Sequence, residues 1–119
     1  MLICGVDLVE VERIKLSVDR FGDRFLNRIY TRQEQEYCKR RPQALAARYA
    51  AKEAAAKALG TGIGKIGFLD IEVVHNADGG PELRLHRAAA EQLVRLGISG
   101  LHISISHERQ LAIAFVVGQ

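Results

Sequence analysis

The sequence predicts an α+β fold, a single domain over residues 1–119 in which an antiparallel sheet carries several helices. Three observations lead there. Apolar runs with strand-like alternation stand near both ends, at Leu2–Val9, Leu101–Ser106 and Leu111–Val117. Between them lie stretches with helix punctuation: Thr31 and Glu34 in T-x-x-E order, then Pro42, then Gly60. A turn signal, N-A-D-G-G-P at Asn76–Pro81, separates two further apolar runs and predicts a hairpin.

The elements follow in order. Leu2, Cys4, Val6 and Leu8 alternate with Ile3, Gly5, Asp7 and Val9, and because both sets are largely apolar the first strand is expected to be buried on two faces. Asp7 is the exception, since a carboxylate taken out of water is costly unless it is paired, hydrogen-bonded or holding a metal. Val11–Ile29 reads as helix broken near Gly22. It carries Arg20, Arg24 and Arg28 at four-residue spacing, with Arg13 two turns earlier, and forms a basic stripe whose plainest reading is a solvated face. The capping box at Thr31 should start a helix at Arg32 that stops near Arg41. Pro42 opens the next helix, which runs to Leu59 and ends where Gly60 can turn left-handed. Phe68–His75 and Leu83–Leu85 should pair as the hairpin. Arg87–Leu96 reads as an amphipathic helix closed by Gly97, and the chain then passes from Leu101–Ser106 through His107–Gln110 into a last strand, Leu111–Val117.

Composition narrows the class. Apolar residues make up 48% and charged residues 26%, with no biased tract, as in ordinary globular proteins. No apolar stretch approaches the roughly 18 residues needed to span a bilayer, and a cytoplasmic location is expected. Cys4 and Cys38 are far apart with no C-x-x-C pair, so both are expected to be free thiols. The net charge of +3 favours anionic partners without choosing among them.

The chemistry concentrates on the Pro42–Leu59 helix. At 100° per residue, Tyr49, Glu53 and Lys57 fall within about 80° of one another, while Lys52 points about 100° away from Glu53. Taken alone, Glu53 and Lys57 make an i, i+4 ion pair of the kind common on exposed helices. The surrounding alanines, Ala50, Ala51, Ala54, Ala55, Ala56 and Ala58, argue instead for close approach of other backbone or of a large ligand. Gly60–Gly64, G-T-G-I-G, holds more glycine than a helix stop requires, and its exposed amides could lie against phosphates; a plain glycine-rich connection is the alternative, since neither the P-loop order nor the dinucleotide fingerprint is present. Asp7 and Glu53, carboxylates from distant segments, suit Mg²⁺, which keeps several waters and takes one or two carboxylates beside substrate phosphates. His107 stands at a strand end, and no arrangement of Ser104 or Ser106 makes a nucleophile site.

Three blocks together carry a resemblance. G-V-D-L-V-E-V-E-R-I at Gly5–Ile14, R-Y-A-A-K-E-A-A-A-K-A-L-G-T-G-I-G at Arg48–Gly64 and S-I-S-H at Ser104–His107 resemble the bacterial holo-acyl-carrier-protein synthases, the short single-domain 4′-phosphopantetheinyl transferases. The resemblance covers essentially the whole chain. It implies Mg²⁺-dependent transfer of 4′-phosphopantetheine from coenzyme A to a serine of an apo-acyl carrier protein, with release of adenosine 3′,5′-bisphosphate. It also implies a homotrimer with sites between subunits, and a place in fatty acid biosynthesis. By motif, Asp7 and Glu53 match the metal ligands, Lys57 the lysine at the transferred phosphate, and His107 the histidine lining the coenzyme A site. Arg48 and Gly60, Thr61, Gly62 and Gly64 match positions near the nucleotide and its phosphates. Arg13, Arg20, Arg24 and Phe25 match a docking face for the acidic carrier protein. The acceptor of the serine proton stays open among water on the metal, Glu53 and Glu34. Two competing readings are a coenzyme A-binding module without chemistry, against which stands the complete set Asp7, Glu53 and Lys57, and a nucleic-acid binder, for which the seven aromatics form no stacking surface.

Overall fold

The absence of a side chain at Gly5 lets the first strand lie directly on the longest helix. A Cβ built there would overlap the Ala54 carbonyl oxygen and come within 2.8 Å of the Ala58 nitrogen, so strand and helix meet backbone to backbone. The rest of the fold is arranged around that contact. The computed structural model describes residues 1–119. The elements are β1 (Ile3–Glu10), α1 (Val11–Phe21), α2 (Asp23–Ile29), α3 (Arg32–Cys38), α4 (Pro42–Ala58), a 3₁₀ turn (Phe68–Asp70), β2 (Ile71–His75), β3 (Pro81–Leu85), α5 (Arg87–Leu96), β4 (Leu101–His107) and β5 (Leu111–Gly118).

The predicted α+β class is the observed one, with its strands divided between two antiparallel sheets. The larger has the order β1-β5-β4, and β2 and β3 form a separate hairpin. Asp7 pairs with Ala114, which pairs in turn with Ile105. On the inner face of this sheet Val9, Ala112, Ala114 and Val116 are buried beneath α4. Ala46, Ala50, Ala51, Ala54, Ala55 and Ala56 on the helix are fully buried too. The alanines therefore serve close packing on nearly every side of α4, and the helix shows almost no polar face. Ile14, Leu26, Ile29, Tyr30, Leu45, Leu59, Ile66 and Ile71 fill the space around it.

Three expectations need correction. β1 is buried on one face only: Val6 and Leu8 are 49% and 60% exposed, because the helices form a single layer and leave the outer face of the sheet open. α3 stops at Cys38 and does not reach Arg41, since Lys39 and Arg40 adopt φ of 49° and 57° and Arg41, preceding Pro42, is extended as that position requires. The segment from Phe68 begins as a 3₁₀ turn, closed by the Asp70 carboxylate accepting from the Gly67 amide at 2.9 Å, and strand geometry starts only at Ile71.

A buried ion pair ties α3, α4 and β2 together. Lys52 Nζ, without solvent exposure, donates to Glu34 Oε1 at 2.7 Å and to the carbonyls of Phe68 and Ile71. Glu34 in turn accepts from the amides of Thr31 and Val73, so all three ammonium protons and both carboxylate oxygens are used. The capping box at Thr31 is present as predicted.

Candidate active site

β1 and α4 bring Asp7, Glu53 and Lys57 into one cluster. The inward parity of Asp7 is fixed by Gly5 and Val9, which face α4 from the same side of the strand. Lys57 Nζ donates to Asp7 Oδ1 at 2.9 Å and to the Val6 carbonyl at 3.1 Å. The intrahelical Glu53–Lys57 ion pair suggested by the spacing does not form, because the strand offers the lysine a carboxylate and a carbonyl together. Burial raises the Glu53 carboxyl above its ordinary range, and the Asp7 charge raises it further, against the pull of Lys57 and Arg13. Two carboxylates thus lie close enough for the charge of one to raise the other, with the only bonded ammonium on Asp7, an arrangement that a divalent cation would relieve.

The donor set fits Mg²⁺. No group of three or more His, Cys, Asp or Glu side chains converges anywhere in the chain, so a cage built wholly from protein is absent. Two partly exposed carboxylates match an ion that keeps water and phosphate oxygens in its shell.

Above Glu53 on the helix, Tyr49 packs against Phe68 with centroids 5.3 Å apart, and the Arg13 guanidinium lies 5.9 Å from the Tyr49 ring. Burial pushes the Tyr49 hydroxyl up, as does the charge of Glu53, so it stays a neutral donor. Arg13 therefore reaches toward the carboxylate cluster from α1. The other residues of the basic stripe lie farther along. Arg20 stacks near Phe21 at 5.2 Å, and Arg24 and Phe25 line a cleft of about 200 Å³ with Phe21 and Arg28.

Arg48 and His107 are not brought to this cluster within one chain. Arg48 sits about 140° around α4 from Glu53 and on the side opposite Lys57. There its Nη2 meets His75 Nε2 at 3.2 Å, its guanidinium lies 4.2 Å from the Tyr37 ring centroid, and its buried Nε has no partner. His107 ends β4 in register with Ala112 and Val9, which places it two strands from β1, about 10 Å across the sheet.

The glycine loop differs from the expected cradle of free amides. Gly60 donates to the Lys57 carbonyl, Thr61 and Gly62 both to Ala56, and Gly64 to Ile66. Gly60, Gly62 and Gly64 take φ of 82°, 67° and 142°, and the run of glycines serves to wind the chain off the helix end. Sequence reasoning missed Lys52 and the Glu34 carboxylate it buries. The only signal was that Lys52 stands among alanines on the packed side of its helix.

Residues 3–116 match the model of the 4′-phosphopantetheinyl transferase superfamily. The chain belongs to that superfamily. Its similarity to curated 4′-phosphopantetheinyl transferases runs end to end. It is 53% identical to the holo-[acyl-carrier-protein] synthase of Carboxydothermus hydrogenoformans, over 98% of this chain and 97% of that protein. It is 51% identical to the corresponding synthase of Halothermothrix orenii, over 97% and 94%. Among solved structures, the Helicobacter pylori holo-[acyl-carrier-protein] synthase in complex with coenzyme A matches with a TM-score of 0.90 at 36% identity, covering 98% of this chain and all of that one. The Neisseria meningitidis synthase matches with a TM-score of 0.90 at 39% identity, over 98% and 97%. The expected fold and family are therefore those found, and the chain is an enzyme of the phosphopantetheinyl transferase type. No helix of this transferase is long and apolar enough to cross a membrane.

Proposed function

We propose that this chain, as a single transferase domain acting in the cytoplasm, moves 4′-phosphopantetheine from coenzyme A to a serine of an apo-acyl carrier protein. The reaction is Mg²⁺-dependent, releases adenosine 3′,5′-bisphosphate and serves fatty acid biosynthesis. The observation that carries this reading is the convergence of Asp7, Glu53 and Lys57 at the junction of β1 and α4. The names of the similar synthases, one of them solved with coenzyme A, supply the substrates.

Asp7 and Glu53 would hold the metal, whose charge offsets that of the pyrophosphate. Lys57, already between Asp7 and solvent and half exposed, is placed to pass from that carboxylate to a phosphate oxygen. The serine oxygen attacks the phosphorus bearing pantetheine, the bond from that phosphorus to the bridging oxygen breaks, and Lys57 stabilises the oxygen that leaves. Glu34 drops out as acceptor of the serine proton, because it is fully buried and already bonded to Lys52, Thr31 and Val73. Glu53 and water remain. Arg13, Arg20, Arg24 and Phe25 form the face for the acidic carrier protein, with Arg13 nearest the reacting groups.

A homotrimer with shared sites accounts for the separation of Arg48 and His107 from Glu53. The outer face of the β1-β5-β4 sheet supports the assembly, since Val6, Leu8, Ile113 and Phe115 expose apolar surface there. A second subunit would then complete the nucleotide end of the site. Incubation with coenzyme A, Mg²⁺ and apo-acyl carrier protein should add the mass of one phosphopantetheine to the carrier. No mass gain with several carrier proteins would refute the transferase reading.

A further inference from the structure

We propose that Gln92, on α5, is a positioning residue that fixes the last turn of α4, and with it Lys57 and the glycine loop, in the geometry that receives coenzyme A. The inference rests on the transferase reading for its ligand and on three observations for its geometry. First, Gln92 Nε2 donates to the Leu59 carbonyl at 3.0 Å, across 33 residues of sequence. That carbonyl belongs to the C-cap of α4, immediately before Gly60 and two residues after Lys57. Carbonyls at a helix end have no intrahelical donor, and this one is served from another element. Second, the neighbouring carbonyls of the same turn are taken by the loop itself: Ala55 by Leu59, Ala56 by Thr61 and Gly62, and Lys57 by Gly60. Gln92 thus supplies a tertiary tie at a point where the loop's own hydrogen bonds leave off. Third, Arg95 donates to Gln92 Oε1, which orients the amide so that its NH₂ faces Leu59.

The last turn of α4 is consequently held from two sides, by Asp7 and Val6 through Lys57 and by α5 through Leu59. α5 buries only Ala89 fully, with Ala88, Leu93 and Leu96 partly buried against the core, and the Gln92 bond adds a specific polar contact to that packing at this end. Without the Gln92 bond the helix end can fray. Lys57 and the loop Gly60–Gly64 would then occupy the productive arrangement for a smaller fraction of the time, which weakens coenzyme A binding by that fraction.

Two substitutions test this. Gln92→Glu keeps the shape and replaces the donor by an acceptor; Gln92→Met removes both polar atoms. Calorimetric titration of each protein with coenzyme A and Mg²⁺, without carrier protein, should show affinity reduced about 3- to 10-fold, and the KM for coenzyme A should rise in step. The KM for carrier protein should stay within twofold. Hydrogen exchange in the absence of any ligand should become faster at the amides of Leu59–Gly62 and remain unchanged in the middle of α4. Unaltered exchange at those amides in both variants overturns the anchor. Equal rises in both KM values overturn it as well, because a general loss of folded structure would do the same. If the unsubstituted protein takes up no coenzyme A, the transferase reading fails, and the exchange measurement still decides whether Gln92 holds the helix end.

Discussion

Lys57 Nζ lies 2.9 Å from Asp7 Oδ1, so the lysine of the K-E-A-A-A-K stretch answers to β1 and not to Glu53 on its own helix. Glu53 is left as the acid of the cluster with no bonded partner of its own. Glu53→Gln should abolish Mg²⁺-dependent turnover while the far-ultraviolet circular dichroism stays that of the unsubstituted protein. Lys57→Met should lower kcat by about 10²- to 10³-fold, the usual cost of one charge-stabilising donor. Steady-state assays with saturating carrier protein would decide both, and full turnover by Glu53→Gln would remove the metal assignment.

The raised carboxyl of Glu53 gives a linkage prediction. A folded-state value above the unfolded one means that the folded chain holds its proton longer, so stability falls as pH rises through the interval between the two values. Above that interval the cost of the charged carboxylate beside Asp7 is fully present; below it, the cost is gone. Glu53→Gln should therefore melt higher than the parent at pH 8 and the same as the parent in acid. Mg²⁺ should raise the melting temperature of the parent at pH 8 and leave that of Glu53→Gln nearly unchanged. Scanning calorimetry at several pH values with and without Mg²⁺ measures all of this, and a melting temperature for the variant below the parent at pH 8 would contradict it.

The buried pair of Lys52 and Glu34 predicts an asymmetric response. Lys52→Met leaves a carboxylate without solvent and without its cation, and the loss should be about 3–5 kcal/mol by urea denaturation. Lys15→Met, which removes one end of an exposed i, i+4 pair with Asp19, should change stability by less than about 0.5 kcal/mol.

Arg13, the residue of the basic stripe whose charge acts on Glu53, lies over the Tyr49 ring. Arg13→Glu should raise the KM for carrier protein at least tenfold, flatten its dependence on salt, and leave coenzyme A affinity within about threefold. Equal loss of both affinities would take away the docking role.

The open face of the larger sheet predicts its own test. Phe115→Glu places a charge in the middle of the apolar patch formed with Val6, Leu8 and Ile113. Light scattering should report a trimer for the parent and a smaller species for the variant, and turnover should fall with the assembly. A monomeric parent with full activity would exclude shared sites.

Much of this architecture was legible in the sequence because its signals are local. The capping box at Thr31, Pro42 at the start of α4, the glycine after it and the turn at Asn76–Pro81 each constrain a few adjacent residues, and each stands where expected. What was not legible is long-range or depends on competition. Helical spacing offers Lys57 a carboxylate at Glu53, and only the fold reveals a better one fifty residues away. Lys52 differs from a solvated lysine in sequence only by the alanines around it, and what makes its burial possible, Glu34 and two carbonyls that meet it, comes from distant segments. The alternation of β1 is apolar on both faces, and no pattern within one strand can say that the second face lies open in a single chain. The sequence leaves the glycine loop open between amides for phosphates and a plain connection; in the fold most of its amides close the helix end and the turn, satisfying the last helical carbonyls.

The meeting of Gly5 with Ala54 and Ala58 works as a gauge. The spacing between strand and helix is set by main-chain atoms touching main-chain atoms, with no rotamer able to absorb a change. Asp7 and Glu53 ride on these two elements, so the width of their cluster is insensitive to which apolar residues fill the core elsewhere. Sequence drift through the interior can proceed while the separation of the two carboxylates stays constant, and the one position that could alter it directly is the one with no side chain to vary.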